Sequence, residues 1–155
     1  MGVTGSGKST LGQALAYALN RNFVEGDSLH PPANIAKMAA GIPLNDTDRI
    51  PFLKNVAHAI ATRPGPLVIA CSALKRSYRD QLRGADPQLI FVQPLLSTQQ
   101  LQSRLRQRQG HFMPAALLDS QLADFEPPGA HERFIQIDGT EALDRQVAHA
   151  LAQLA

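Results

Sequence analysis

Gly2-Val3-Thr4-Gly5-Ser6-Gly7-Lys8-Ser9, with Thr10 after it, is the stretch that decides how this chain folds. It fits G-x-x-x-x-G-K-[ST], the pattern of a phosphate-binding loop. Its glycines let the backbone close around an anion, so that successive N–H groups point inward. Lys8 is spaced to reach β- and γ-phosphates, and the Ser9 hydroxyl to ligate Mg²⁺. The loop opens directly into a helix, whose N-terminal N–H groups and dipole favour the same anion. Gly5, Ser6, Gly7, Lys8, Ser9 and Thr10 are therefore the expected ATP contacts, with Ser9 also the expected metal ligand. A chance glycine turn before a helix is the plain alternative. Such a loop normally follows a buried strand. Only Met1 precedes Gly2, so that strand is implied and not seen.

The rest of the chain bounds the problem. At 155 residues it is expected to form a single domain over 1–155 with a real core. With 44% hydrophobic and 18% charged residues it reads as a soluble globular protein. A net charge of +2 is too small to argue for nucleic acid or a membrane surface, and neither is expected as a partner. The lone Cys71 excludes an internal disulfide framework and fits a reducing cytoplasm. No apolar run approaches the roughly 20 residues of a membrane span, and the opening lacks the basic-then-apolar order of a signal peptide.

Periodicity supplies the elements. Leu11, Ala14, Leu15, Ala18 and Leu19 form a helical stripe after the loop. A short strand is expected over 22–25, ending in Gly26-Asp27, then a turn-rich segment and a short helix over about 33–40. Asp46 or Thr47 is a plausible cap for the next helix, with Pro51 in its first turn. Leu67-Val68-Ile69-Ala70-Cys71 is a continuous apolar run, as in a parallel strand buried on both faces. A polar helix over about 76–83 is expected to stop at Gly84, and a strand follows over 89–92. Ser97 with Gln100 makes a capping box for a helix ended by Gly110. Pro114 opens another helix, to about Phe125. A last strand over 134–137 precedes an amphipathic helix carrying Leu143, Val147, Ala150, Leu151 and Leu154. Strands alternating with helices predict a three-layer α/β/α fold of the P-loop type, around a parallel sheet of four visible strands and the implied fifth.

Two constellations carry chemistry. Asp27 and His30 lie just past a strand's carboxyl end, where ligands bind in open α/β sheets. Asp27 there suits a base that accepts a hydroxyl proton during attack on a γ-phosphate, with Glu25 helping to hold hydrated Mg²⁺. The plainer alternative is a turn aspartate and a solvated loop histidine. Arg104 and Arg108, at i and i+4 before the Gly110-His111-Phe112 turn, suit a lid over about 104–125 that closes on ATP. A solvated basic face explains them equally well. Asp48, Arg49, Lys75 and Arg79 are open to a reading as surface ion pairs, and Cys71 as a buried apolar thiol.

Longer strings narrow the choice. Gly26-Asp27-Ser28-Leu29-His30-Pro31, Pro43-Leu44-Asn45-Asp46 with Asp48-Arg49, Cys71-Ser72-Ala73-Leu74-Lys75 with Tyr78-Arg79-Asp80, Gly110-His111-Phe112, and Ser120-Gln121 join the glycine loop. Over nearly the whole chain, these resemble the gluconokinases, small P-loop kinases that make 6-phosphogluconate from ATP and D-gluconate. The resemblance implies that Asp27, His30, Arg49, Lys75 and Arg79 surround the sugar acid, with His111 added from the turn. It implies Lys8, Asp27 and Arg104 as the catalytic set, Arg104 and Arg108 as lid contacts to ATP, and a homodimer. Phe52 stands where relatives commonly carry Trp, and Glu25 where Asp is expected. A shikimate-kinase-like enzyme with another hydroxyl acceptor is the alternative among enzymes. An inactive nucleotide-binding remnant lacking the first strand is the alternative outside them.

Overall fold

The computed structural model describes residues 1–107 and 115–154. Helix α1 (Lys8–Ala18) leads into β1 (Asn22–Glu25), a 3-10 turn over Gly26–Leu29, α2 (Pro32–Ala39) and α3 (Asp46–Thr62). Next come β2 (Leu67–Ala70), α4 (Arg76–Ala85), β3 (Phe91–Leu95) and α5 (Thr98–Gln107), and then α6 (Ala115–Asp124), β4 (Phe134–Asp138) and α7 (Leu143–Leu154). Every strand pairing is parallel: β1 with β2, Asn22 opposite Leu67, and β3 with β4, Phe91 opposite Phe134. Helices α1 and α7 pack together against the strands, and α3 packs with α4. Phe52, Leu53, Val56, Tyr78, Leu82 and Phe91 bury a second core there. This is the α/β/α architecture of the P-loop fold.

The sheet departs from one continuous ladder. Among the described residues it consists of two parallel pairs, β1-β2 and β3-β4. Val68 and Ile69 of β2 face Phe91 and Val92 of β3 across a cavity of about 260 Å³, with Leu11 and Val56 among its walls. Met1 lines the same cavity, and its amine donates to the Val92 carbonyl. The gap lies between the two pairs.

Local expectations fail where a cap or turn overrides the pattern. Helix α3 is capped by Asn45, not Asp46 or Thr47: Asp48 N–H donates to Asn45 Oδ1 at 2.9 Å and Asn45 N–H to Asp48 Oδ2 at 3.1 Å. That box starts the helix early enough to leave Pro51 inside it, beyond the expected first turn. Helix α4 runs through Gly84 to Ala85. Strand β3 begins at Phe91, not Leu89, because the Leu89 N–H closes a turn on the Asp86 carbonyl at 3.1 Å. The Ser97–Gln100 box forms as expected, through bonds of 2.8 and 3.2 Å. The expected helix ends at Gly110 and Pro114 lie outside the described residues.

Candidate active site

The glycine loop is built for close approach. Gly5 and Gly7 have φ of 76° and 88°, in the left-handed region that side chains resist. A Cβ on Gly5 would stand 3.1 Å from Leu105 of α5, so the loop is pressed against that helix. Lys8 is the first residue of α1, which directs the helix N-terminus at the loop. Ser9 lies in the same first turn. Arg104 reaches across from α5, donating to the Gly139 carbonyl at 2.6 Å and more weakly to the Ser6 carbonyl at 3.5 Å. The structure thus joins Arg104 to the loop through 98 residues of chain.

The acceptor side is set by the end of β1. A Cβ on Gly26 would sit 2.2 Å from the Ala70 carbonyl oxygen, so glycine alone lets β1 end tight against β2. Asp27 follows on the exposed side of that edge. Lys8, Asp27, His30 and Arg49 line one cavity, together with Thr4 and Gln121. His30 is buried and stacked on Phe52, with ring centroids 3.7 Å apart and planes 7° from parallel. Burial pushes its pKa down to about 4, against the pull of Asp27 and with the help of Arg49. Its imidazole is therefore neutral at pH 7.

Arg49 is 5% exposed, and its Nε has no hydrogen-bond partner. Its nearest carboxylate is Asp124 of α6, at a loose 3.7 Å. Lys75 shares that carboxylate at 3.3 Å and meets Asp46 at 2.6 Å, a bond that holds its ammonium well above the usual lysine range. Asp46 also accepts from the Tyr78 hydroxyl, and burial first, then that bond, raises the phenol to about 12.

Arg79 is not brought to this group. It is 0% exposed and bonded to Glu132 through Nε at 2.6 Å and Nη2 at 3.0 Å. Its Nη1 donates to the Leu74 and Glu126 carbonyls at 2.8 and 3.1 Å. The guanidinium is consumed in tying α4 to the segment after α6, so the expectation that it faces the sugar acid is corrected. Arg108 and His111 lie outside the described residues.

Two residues to which the sequence patterns assign no role support the site, Gln121 lining the cavity and Asn34 standing behind His30. Gln121 of α6 accepts from the Thr4 N–H of the loop at 2.7 Å. Asn34 of α2 is buried beside His30. Neither carries charge or stands in a periodic stripe, and only the Ser120-Gln121 string had drawn attention to one of them. For a metal, Ser9 offers its hydroxyl, and Glu25 Oε1 is buried with no hydrogen-bond partner. Such an orphan suits the water shell of a hydrated cation. Among the described residues, no cluster of three or more His, Cys, Asp or Glu could hold an ion unaided.

Known proteins share much of this sequence and the fold. The family model described as an AAA domain matches residues 1–128. A gluconokinase of Gluconobacter oxydans (strain 621H) is 49% identical over 148 residues, covering 93% of this chain and 83% of that protein. The chain belongs to the gluconokinase family. The crystal structure of a gluconokinase from Sinorhizobium meliloti 1021 superposes with a TM-score of 0.92 at 49% identity, over 99% of this chain and 88% of that one. The thermosensitive gluconokinase of Escherichia coli (strain K12) is 42% identical over 142 residues, 89% of this chain and 76% of that protein. Membership makes the chain a P-loop kinase. No helix among the described residues is long and apolar enough to cross a membrane.

Proposed function

We propose that this chain transfers the γ-phosphoryl group of ATP to the 6-hydroxyl of D-gluconate. The cavity where the loop lysine meets Asp27, His30 and Arg49 carries the reading. Asp27 takes the hydroxyl proton as that oxygen bonds to the γ-phosphorus, and the β–γ bridging oxygen leaves with ADP. Lys8 and the loop N–H groups stabilise charge on the phosphates. Ser9, with Glu25 behind it, would hold Mg²⁺, which when bound neutralises phosphate charge. Arg49 suits the acceptor carboxylate, because its unpartnered Nε and an Nη can grip two oxygens at once. Lys75 stands next to it through Asp124.

Residues 104–125 act in this reading as a lid, with Arg104 on the loop, Arg108 on ATP and His111 on the acceptor. Support comes from Arg104 against Ser6 and Gln121 against Thr4, which tie both described ends of the segment to the loop. A homodimer and a cytoplasmic location, both implied by the resemblance, belong to this proposal, and sedimentation of the purified protein would test the first. The deciding experiment is a coupled assay of ADP release across gluconate, shikimate and aldoses with Mg²⁺. Gluconate is expected to be the acceptor, and Asp27→Asn to lower kcat by roughly 10²–10⁴-fold. Turnover of shikimate or an aldose without gluconate overturns the assignment.

A further inference from the structure

We propose that Asn34 is a positioning residue of the acceptor cavity: it selects the Nε2–H tautomer of His30, so that the imidazole offers a donor to an acceptor hydroxyl oxygen beside Asp27. This rests on the reading of that cavity as the acceptor site. Asn34 is 3% exposed on α2. Its Nδ2 lies 2.7 Å from the Asp48 carbonyl oxygen. A carbonyl oxygen has only lone pairs to offer, so the amide atom facing it must be the nitrogen, and the orientation of the carboxamide is settled. The same Nδ2 lies 3.2 Å from His30 Nδ1. An NH₂ group donates and does not accept, so Nδ1 must present its lone pair. A neutral imidazole carries one proton, which then resides on Nε2.

The surroundings keep this arrangement from relaxing. Stacking on Phe52 fixes the plane of the ring, and a half-turn about its bond to Cβ would put a C–H against the Asn34 nitrogen. Asp48 is held in turn, by its capping box with Asn45 and by Lys37 Nζ at 2.6 Å. The charged groups that act on the ring are Asp27 and Arg49. Burial outweighs Asp27 and leaves the ring neutral at pH 7, the state in which a choice of tautomer exists.

The choice has a chemical consequence. A hydroxyl that gives its proton to Asp27 can accept from other neighbours but cannot also donate to them. An imidazole lone pair facing it would compete with Asp27 for that proton. An Nε2–H instead occupies a lone pair of the hydroxyl oxygen and leaves its hydrogen for Asp27. Asn34 therefore acts two steps from the reaction, through the ring it orients.

The test begins with the ¹⁵N-labelled protein without ligand at pH 7. Long-range ¹H–¹⁵N correlation is expected to show His30 Nδ1 as the pyridine-like nitrogen and Nε2 as the protonated one. The reverse pattern, or a doubly protonated ring, overturns the proposal without recourse to any variant. Asn34→Asp places an acceptor opposite Nδ1 and should invert the pattern or charge the ring. It should also raise the KM for gluconate by about tenfold, the scale of one hydrogen bond, with the KM for ATP within about twofold. His30→Gln supplies a fixed donor near the Nε2 position and has no tautomers. In that background Asn34→Asp should add no further loss toward gluconate. If the two losses multiply instead, Asn34 serves packing alone and the proposal fails. The expected spectrum in a protein that does not phosphorylate gluconate would refute the acceptor assignment and, with it, the hydroxyl as the donor's target, while the tautomer assignment stands.

Discussion

Replacing Glu132 with Gln should cost about 3–5 kcal/mol of folding stability, the usual consequence of removing one partner of a buried ion pair. The structure shows where that loss arises. Glu132 Oε2 accepts from Arg79 Nε at 2.6 Å, and Oε1 accepts from Arg79 Nη2 at 3.0 Å and from the Gly129 N–H at 2.9 Å. Both side chains are 0% exposed. Whichever way the glutamine amide turns, its NH₂ meets an N–H where a carboxylate oxygen stood. At least one charge-assisted bond, worth roughly 1.5–3 kcal/mol, is lost, and the Arg79 cation stays buried without a counter-ion. The pH dependence follows from the carboxyl, which the Arg79 hydrogen bond lowers from 4.5 to about 2. A depressed acid contributes stability above its unfolded pKa and loses it as pH falls through the folded value. The difference between wild type and E132Q should therefore be full at pH 7 and shrink from about pH 4.5 toward pH 2. Urea melts at a series of pH values read it directly. At temperatures where both proteins are folded, KM for gluconate and ATP should be unchanged. A loss under about 1 kcal/mol at pH 7, or a gap that does not close in acid, refutes the reasoning. A selective rise in the gluconate KM would return Arg79 to the acceptor site.

Other perturbations separate the parts of the site. Gln121→Leu removes the acceptor for the Thr4 N–H and should raise the KM for ATP by about fivefold, for a bond near 1 kcal/mol; Gln121→Glu keeps the acceptor and should restore it, both read by steady-state kinetics. Arg104→Ala should lower kcat by roughly 10²-fold through loss of charge stabilisation at the loop. Arg104→Lys should recover little, since one ammonium cannot span the Gly139 and Ser6 carbonyls. Asn45→Ala removes the α3 cap and should cost about 1 kcal/mol, a fall in Tm of roughly 2–4 °C, with kcat at 25 °C unaffected.

What could be seen in the sequence was whatever acts over a few residues. The phosphate loop and the Ser97–Gln100 box are local, and each forms as its spacing requires, whereas the stripe of α1 holds at Leu11 and Leu15 but not at Ala18, which is exposed while Gly12 and Ala16 are buried. The capping box at Asn45 is equally local, yet Asp46 and Thr47 offered competing side chains one and two residues on. Only the observed bonds to and from Asp48 decide among them. Leu89 and Ile90 look like strand because they are apolar, but the backbone N–H of Leu89 is already spent on Asp86. Composition does not record where a hydrogen bond has gone.

The candidate site was legible in its charges and opaque in its amides. Arg79 and Arg49 are indistinguishable by local pattern, both being arginines near a loop end. Their fates diverge because Glu132, 53 residues away from Arg79, supplies a buried counter-ion, while Arg49, among the described residues, meets Asp124 loosely and lies over the Tyr78 ring. The first arginine is thereby neutralised as structure and the second left with a donor to spare. Asn34 and Gln121 invert the problem: Gln121 stands in a recognisable string that assigns it no role, and Asn34 stands in none. One is held by a backbone carbonyl 14 residues on and the other by a backbone N–H 117 residues back. Each carboxamide is oriented by a main-chain group and passes that orientation to the site. Motifs thus place the reacting groups near one another, and long-range contacts between uncharged atoms decide which way those groups face.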